Sequence, residues 1–249
     1  MRTIKFTVAY DGSAYSGWQY QPGRTTVQGV IEDAVLAVTQ NEVRVTASGR
    51  TDAGVHAIGQ VASFTVDTRL GDHDLCRALN SSMPFDIRIQ SMETTHDSFH
   101  PIRDATGKRY RYVVQPGGLP DVFTRSYCWY IPRALNVDAM RAAAAHLIGR
   151  HDFACMQTSG APRLSTIRTV RDITIEPRTQ TLSEQLVFEV EADGFLYNMV
   201  RNIVGSLTVV GKGRAEPDWI ADVLASKKRT TAGPAAPAHG LFLLDVFYG

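Results

Sequence analysis

Residues 47–57 contain the side chains of this chain whose types and spacing are best suited to chemistry. Arg50, Thr51 and Asp52 stand there between two glycines, which let the backbone turn sharply and present the three side chains outward. An arginine two residues from an aspartate can orient a substrate phosphate beside the carboxylate. The guanidinium also keeps that carboxylate ionised, as a nucleophile or base must be. The spacing alone equally fits a polar loop in which Asp52 caps a turn.

The elements predicted around this loop have the order β-α-β-β-α-β. Residues 1–10 alternate polar and apolar side chains, which predicts a strand. Thr25 and Gln28 have the spacing of a helix capping box, and an apolar helical stripe follows them. The remaining predictions are strands at 43–46 and 61–66, a helix near 72–80 and a strand near 85–92.

The second half is predicted to have a similar element order. Strands are expected at 108–115, 167–176, 185–192 and 241–248, and helices from 137, from 199 and at 217–225. We therefore expect an α+β fold of two similar halves, 1–105 and 106–249, with mixed or antiparallel sheets. Halves joined side by side would leave a central cleft between them, where ligands commonly bind.

Charge is distributed unevenly along the chain, although the formal net charge is only +1. Residues 101–171 hold 11 Lys/Arg against four Asp/Glu, and the remainder has an acidic excess. One basic region on an otherwise acidic protein is typical of a surface that binds phosphates. The same counts also fit charges that are evenly spread once the chain folds.

Composition excludes several classes of protein. No stretch approaches the roughly 20 apolar residues that a membrane-spanning helix needs. The N-terminal residues alternate instead of forming the apolar core of a signal peptide. Cys76, Cys128 and Cys155 are widely spaced, without a CxxC pair or a Cys/His cluster. We therefore expect no metal site and no disulfides, and a protein of the reducing cytoplasm.

A family resemblance adds to these predictions. The run from Gly49 to Ala57 resembles the active-site loop of the TruA family of tRNA pseudouridine synthases. Similar runs span nearly the whole chain in the family's order. They are Tyr10-Asp11-Gly12, Gly17-Trp18-Gln19, Thr26-Val27-Gln28, Lys108-Arg109-Tyr110-Arg111-Tyr112, Gly149-Arg150-His151-Asp152-Phe153, Phe195 to Gly205 and Ala235 to Leu241.

The resemblance implies a defined reaction. The glycosidic C–N bond of a uridine is broken, the uracil rotates, and C5 is joined to the same ribose. Nothing is consumed, so no cofactor is implied. The implied substrate is the anticodon stem-loop of tRNA at uridines 38 to 40, and the implied assembly is a homodimer. A target base stacked in a helix must first be flipped out.

The resemblance also implies roles for individual residues. Asp52 matches the catalytic aspartate, which could attack the ribose, attack the uracil or remove a proton. Tyr110 matches the active-site tyrosine, and Arg201 matches the basic residue that pairs with the aspartate. Tyr197 and Asn198 depart from the family pattern, which leaves their role open. Arg50 is expected to help bind substrate, and RNA phosphates are expected to contact Arg24, Lys108, Arg109, Arg111, Arg163, Arg168 and Arg171.

Two other functions can be weighed against the synthase. An RNA-binding or folding-assistance protein could use the same basic face without chemistry, but it would not need a carboxylate among phosphates. A nucleoside or glycoside hydrolase could use Asp52, but hydrolysis usually needs two carboxylates, and no second acid stands near either motif. The mass of the RNA product discriminates the hydrolase from the synthase, because hydrolysis loses a base whereas isomerisation leaves the mass unchanged.

Overall fold

The structure is a computed structural model that describes residues 1–158, 160, 165–180 and 183–249. The chain forms two compact units. Unit 1 is Met1–Thr106 with Phe242–Gly249, and unit 2 is Gly107–Leu241. Each unit combines a β-sheet with α-helices, which confirms the predicted α+β class.

Unit 1 contains a mixed sheet with the strand order β4-β1-β3-β10, and β2 pairs with β3. Its elements are β1 (Arg2–Tyr10), α1 (Val27–Thr39), β2 (Thr46–Ala47), β3 (His56–Val66), α2 (Asp72–Ser82), β4 (Ile87–Thr95) and β10 (Leu241–Tyr248). The β1–β3 and β1–β4 pairs are antiparallel, whereas β10 runs parallel to β3. The strand and helix order at 1–95 is therefore the predicted one.

Apolar periodicity explains why these segments fold as they do. On β1 the alternating residues Ile4, Phe6 and Val8 are fully buried, so this strand has one face in the core. On α1 the stripe that includes Val27 and Ile31 is buried, as helical spacing predicts. The helices α1 and α2 pack on each other, and α2 packs on β4.

Unit 2 contains a sheet in which β5 pairs with β9, β9 with β8 and β8 with β7, all antiparallel. Its elements are β5 (Ala105–Pro116), β6 (Trp129–Ile131), α3 (Val137–Ala145), β7 (Gly149–Asp152), β8 (Ile167–Gln180), β9 (Ser183–Ala192), α4 (Met199–Gly211) and α5 (Trp219–Ser226). The helix α3 packs on α4, α5 and β8. Within α4, Ile203, Val204 and Leu207 are fully buried.

The structure differs from the predicted strands at β6, β7 and β10, and β3 begins at His56 and not at 61. The strands β6 and β7 were not predicted, because three or four residues are too few to show a periodic pattern. The strand β10 has the predicted bounds, but it pairs with β3 of unit 1, whereas the sequence placed all of 106–249 in one half. Pairing between strands this far apart in sequence leaves no local signal.

Candidate active site

Asp52 lies in the loop that joins β2 to β3. The amide N–H of Val55 donates to the Asp52 carbonyl at 3.1 Å, and Gly54 has a positive φ of 76°, so the chain reverses directly after the aspartate. Asp52 is half-buried, and Arg50 is exposed. The loop therefore reverses at Gly54, the second of the two glycines that bracket Arg50, Thr51 and Asp52.

Two other glycines let the chain before α1 approach this loop closely. A Cβ atom on Gly12 would lie 2.0 Å from the carbonyl oxygen of Val55, and one on Gly17 would lie 2.7 Å from that of Thr51. Gly17 also has a φ of 89°. The amide of Trp18 donates to the same Thr51 carbonyl at 2.9 Å. These N-terminal motifs therefore support the loop from one side.

A buried hydrogen-bond network supports Thr51. The hydroxyl groups of Tyr10 and Thr51 are 2.7 Å apart, and both residues are buried. Burial raises the pKa of Tyr10 to about 12, although hydrogen bonds to Thr51 and Gln60 act in the opposite direction. The side-chain amide of Gln60, which is fully buried, donates to the carbonyl of Gly49 at 2.6 Å. The backbone on the N-terminal side of Asp52 is thus fixed by side chains of β1 and β3.

His56, at the start of β3, is buried and stacks on Phe242 with ring centroids 4.7 Å apart. The Gly12 amide donates to its Nδ1 at 3.1 Å, and an Asp11 carboxylate oxygen lies 3.1 Å from the same atom. These two contacts require opposite roles of Nδ1. Since an amide N–H can only donate, Nδ1 is the acceptor in the contact with Gly12. His56 therefore serves to hold the 11–12 backbone.

The beginning of α1 corrects the predicted capping box. The N-cap is Thr26, one residue later than expected, and its side chain accepts from the Gly29 amide at 3.2 Å. Gln28 does not complete a capping box, because its side chain is buried and bonds to Tyr20 and Val45 instead. Local spacing therefore indicated that a cap begins α1, whereas tertiary contacts determined the hydrogen-bond partners of the Gln28 side chain.

In unit 2 the two candidate tyrosines of β5 have different surroundings. Tyr112 is fully buried and donates to the carbonyl of Pro237 at 2.7 Å, and burial raises its pKa well above the ordinary range. Tyr110 is buried on the same face of the strand, where its ring meets Phe195 edge-on at 4.9 Å. Tyr112 thus holds the chain segment at Pro237, and Tyr110 packs beside Phe195.

Arg201 is held in a defined orientation at the start of α4. Its Nε donates to the Ala236 carbonyl at 2.7 Å, and its Nη1 donates to Oδ1 of Asn198 at 2.8 Å. Asn198, the N-cap of α4, has the left-handed values φ 59° and ψ 12°. Asparagine tolerates this conformation better than most residues. The side chain of Asn198 therefore orients the candidate arginine.

The segment that follows α5 is held against α4 by residues of the family motif to which the sequence assigned no role. Asn202 donates to the Met156 carbonyl at 2.8 Å and accepts from Arg229 at 2.8 Å. A Cβ atom on Gly205 would lie 1.7 Å from the carbonyl oxygen of Pro234. The two backbones are thus in direct contact. A helix-interior glycine was the signal in the sequence that could have indicated this approach.

Several arginines predicted to contact phosphate are paired with glutamates of β9. Arg109 lies 2.5 Å from Glu191, and Arg111 lies 2.5 Å from Glu189. Arg171 makes a second ion pair with Glu191 at 3.3 Å. Because side chains alternate along a strand, Arg109 and Arg111 lie on the face of β5 opposite to Tyr110. Part of the basic excess at 101–171 is therefore neutralised within the sheet.

The other predicted phosphate contacts are placed as follows. Arg24 is exposed after a turn in which its amide donates to Gln21 at 3.2 Å. Lys108 is half-buried on the same face of β5 as Tyr110. Arg168 is half-buried and donates to the carbonyls of Ser165 and Ile167. Arg163 lies outside the described residues.

Two features are absent from the part of the chain that the structure describes. No group of three or more His, Cys, Asp or Glu side chains there could hold a metal ion. No helix there is both long and apolar enough to cross a membrane.

Comparison with known proteins gives consistent matches over the whole chain. A family model described as tRNA pseudouridine synthase matches residues 7–102 and 143–249. A tRNA pseudouridine synthase A from Thermoanaerobacter sp. (strain X514) is 45% identical over 248 residues, which cover 100% of both chains. The enzyme of that name from Pelobacter propionicus is 43% identical with the same coverage. The one from Geobacter sulfurreducens is 42% identical over 246 residues, which cover 99% of both chains.

Proposed function

Because the chain belongs to the tRNA pseudouridine synthase family, it is an isomerase that acts on tRNA, and we propose that Asp52 is its catalytic carboxylate. We propose further that its targets are uridines 38 to 40 of the anticodon arm. The observation that carries the assignment of Asp52 is the rigid support of its turn by Tyr10, Trp18 and Gln60. A catalytic group must be held close to its productive geometry by packed and hydrogen-bonded neighbours.

The reaction that the proposal assigns to this chain is balanced without any other reactant. The bond between N1 of uracil and C1′ of ribose breaks, and a bond between C5 and C1′ forms. The proton on C5 is lost to a base, and N1 gains a proton. Asp52 can attack C1′, attack the uracil ring or remove a proton to give a glycal, and all three routes need its ionised form. No cofactor enters any of these routes.

Tyr110 and Arg201 are proposed to bind substrate. In this proposal the Tyr110 ring, which Phe195 contacts edge-on, stacks on the flipped uracil when RNA is bound. Arg201 uses two of its nitrogens to bond to Ala236 and Asn198, which fixes the guanidinium plane. A guanidinium held in this way can bind a carboxylate or a phosphate with little further loss of side-chain entropy. Arg50 is proposed to contact the RNA beside Asp52.

The proposed phosphate contacts differ in what binding would require. Arg24 is exposed, and Lys108 and Arg168 are half-buried and stay in the proposal as members of the basic region of the sequence. Arg109, Arg111 and Arg171 would each have to exchange a glutamate for a phosphate, which reduces the gain in free energy. Arg163 remains a proposed phosphate contact because of its place in the sequence alone. We also propose that the protein is a cytoplasmic homodimer. Light scattering of the purified chain tests whether it forms a dimer.

The test of the proposed function is pseudouridine formation in an unmodified tRNA transcript. Product positions are mapped with a pseudouridine-specific chemical adduct and primer extension, and the mass of the RNA is measured in parallel. Wild type should give signal in the anticodon arm at unchanged mass. Asp52→Ala and Asp52→Asn should lose at least about 10³-fold in turnover while still binding tRNA. Substantial turnover by either folded variant would refute the role of Asp52.

A further inference from the structure

Three cations of unit 2 come together where α4 ends. Lys212 and Arg214 follow α4, and Arg133 follows β6. The amide of Asn136 donates to the carbonyl of Gly211 at 2.9 Å, which fixes the loop after β6 against the end of the helix. The pKa of Lys212 is lowered, first by burial and then by the charges of Arg214 and Arg133. Residues on both sides of Arg133 thus contact the end of α4, since Asn136 bonds to Gly211 and the Trp129 ring lies beside Lys212.

These cations lack the partners that other arginines of unit 2 have. Within the ranges that the structure describes, no carboxylate lies within 4.0 Å of Arg133, Lys212 or Arg214. Arg109 and Arg111, by contrast, each contact a glutamate of β9. Like charges gathered without an anion oppose folding, so an anionic ligand would relieve a repulsion that already exists.

The helix terminus explains only part of this cluster. Cations near the last turn of a helix interact favourably with its dipole, which suits Lys212 and Arg214. Arg133 belongs to a different segment and gains little from the dipole of α4. In addition, the ammonium of Lys212 lies 5.2 Å from the centre of the Trp129 ring. Two separate segments therefore contribute to one basic surface, beside an aromatic ring.

We propose that Arg133, Lys212 and Arg214 form a phosphate-binding surface for the backbone of the tRNA substrate. This inference rests on the proposed function, and none of the three residues is among the phosphate contacts suggested by the sequence. An RNA backbone supplies the closely spaced anions that three neighbouring cations require, and binding it releases condensed counterions. Such a contact does not distinguish one RNA sequence from another, and it serves to position the RNA.

The test compares tRNA binding by wild type and by the triple variant Arg133→Gln, Lys212→Gln, Arg214→Gln over a range of salt concentrations. Three lost phosphate contacts should weaken binding at 0.1 M salt by about tenfold or more. They should also reduce the slope of log affinity against log salt by about two to three. Turnover at saturating tRNA should be retained, with the loss appearing in KM.

Two control variants make the result specific. The first control is a triple variant that removes the same charge from exposed positions of unit 1, and it should change the slope little. Its substitutions are Arg69→Gln, Arg77→Gln and Arg103→Gln. Arg133→Lys with Arg214→Lys keeps the charge and should keep the slope. A folded triple variant that binds tRNA with the wild-type affinity and slope would overturn the proposal. Absence of pseudouridine formation by wild type, with the slope still reduced in the triple variant, would refute the proposed function and leave the RNA surface standing.

Discussion

The hydroxyl groups of Tyr10 and Thr51 lie 2.7 Å apart beneath the turn that carries Asp52. Tyr10 belongs to β1 and Thr51 to the loop before β3, so this hydrogen bond joins the loop to the centre of the sheet of unit 1. Both side chains are buried, and an unpartnered hydroxyl at such a site is costly. The position of the proposed catalytic carboxylate therefore depends on a contact that the catalytic motif shares with the first strand.

Tyr10→Phe removes this hydrogen bond and keeps the aromatic ring, which packs against Trp18 with centroids 5.7 Å apart. We expect a loss of about 1–2 kcal/mol in the free energy of unfolding, because the Thr51 hydroxyl stays buried without its tyrosine partner. We also expect a several-fold lower kcat. Urea denaturation and the tRNA assay measure the two effects. Tyr20→Phe, at a position that is 47% exposed, is the control. An unchanged stability and kcat in Tyr10→Phe would show that packing alone holds the loop.

Gly17→Ala should disturb the loop directly, because the new methyl group would lie 2.7 Å from the Thr51 carbonyl in a backbone with φ 89°. We expect a loss of about 2 kcal/mol or more in stability, together with lower turnover. Gly23→Ala is a matched control. Its φ is 72°, but no atom lies within 4 Å of the new methyl group, so only the backbone cost of about 1 kcal/mol applies. Equal effects of the two substitutions would contradict the contact with Thr51.

Asn198 has two separable roles, since its backbone is left-handed and its side chain accepts from Arg201. Asn198→Gly keeps the backbone relaxed and removes the hydrogen bond, and Asn198→Ala affects both. We expect both variants to lower kcat/KM by about tenfold, because Arg201 loses a partner. The alanine variant alone should lose about 1 kcal/mol in stability. Steady-state kinetics and urea denaturation measure these changes. Full kcat/KM in Asn198→Gly would show that the side chain does not position Arg201.

The lowered pKa of Glu191 makes the free energy of unfolding depend on pH. Hydrogen bonds from Arg109 lower its pKa first, and those from Arg171 add to the effect against the opposing cost of burial. Since the folded-state pKa lies below the unfolded value, the stabilisation is complete above the unfolded pKa. It is lost as pH falls through the folded pKa. Glu191→Gln should therefore be less stable than wild type at pH 7, by about 1 kcal/mol, and the difference should shrink in acid.

Urea unfolding at a series of pH values measures this effect. The exposed Glu184→Gln is the control, since Glu184 lies at the end of the same strand. A difference between Glu191→Gln and wild type that stayed constant from pH 7 to acid would show that the ion pairs with Arg109 and Arg171 do not stabilise the fold.

Most of the fold could be predicted from the sequence, because its elements have strong apolar periodicity. The bounds of β10 were predicted to the residue, and α1, α2 and α4 agree within a few residues. The strands β6 and β7 could not be predicted, since they are too short to show a pattern. The partner of β10 could not be predicted either, because the same apolar strand would fit the edge of several sheets.

The candidate site, like the fold, could be predicted only in part from the sequence. The sequence by itself determined which residues are candidates for the chemistry, since Asp52 on a glycine-bracketed turn and the family motifs are readable residue by residue. Only the tertiary structure decided that Thr26 caps α1, that Gln28 is buried, that Asn198 orients Arg201, and that glutamates of β9 neutralise Arg109 and Arg111. The physical reason is that residue type and periodicity are local properties. The partner of a buried polar or charged group is fixed by which distant segments the fold brings within hydrogen-bonding distance.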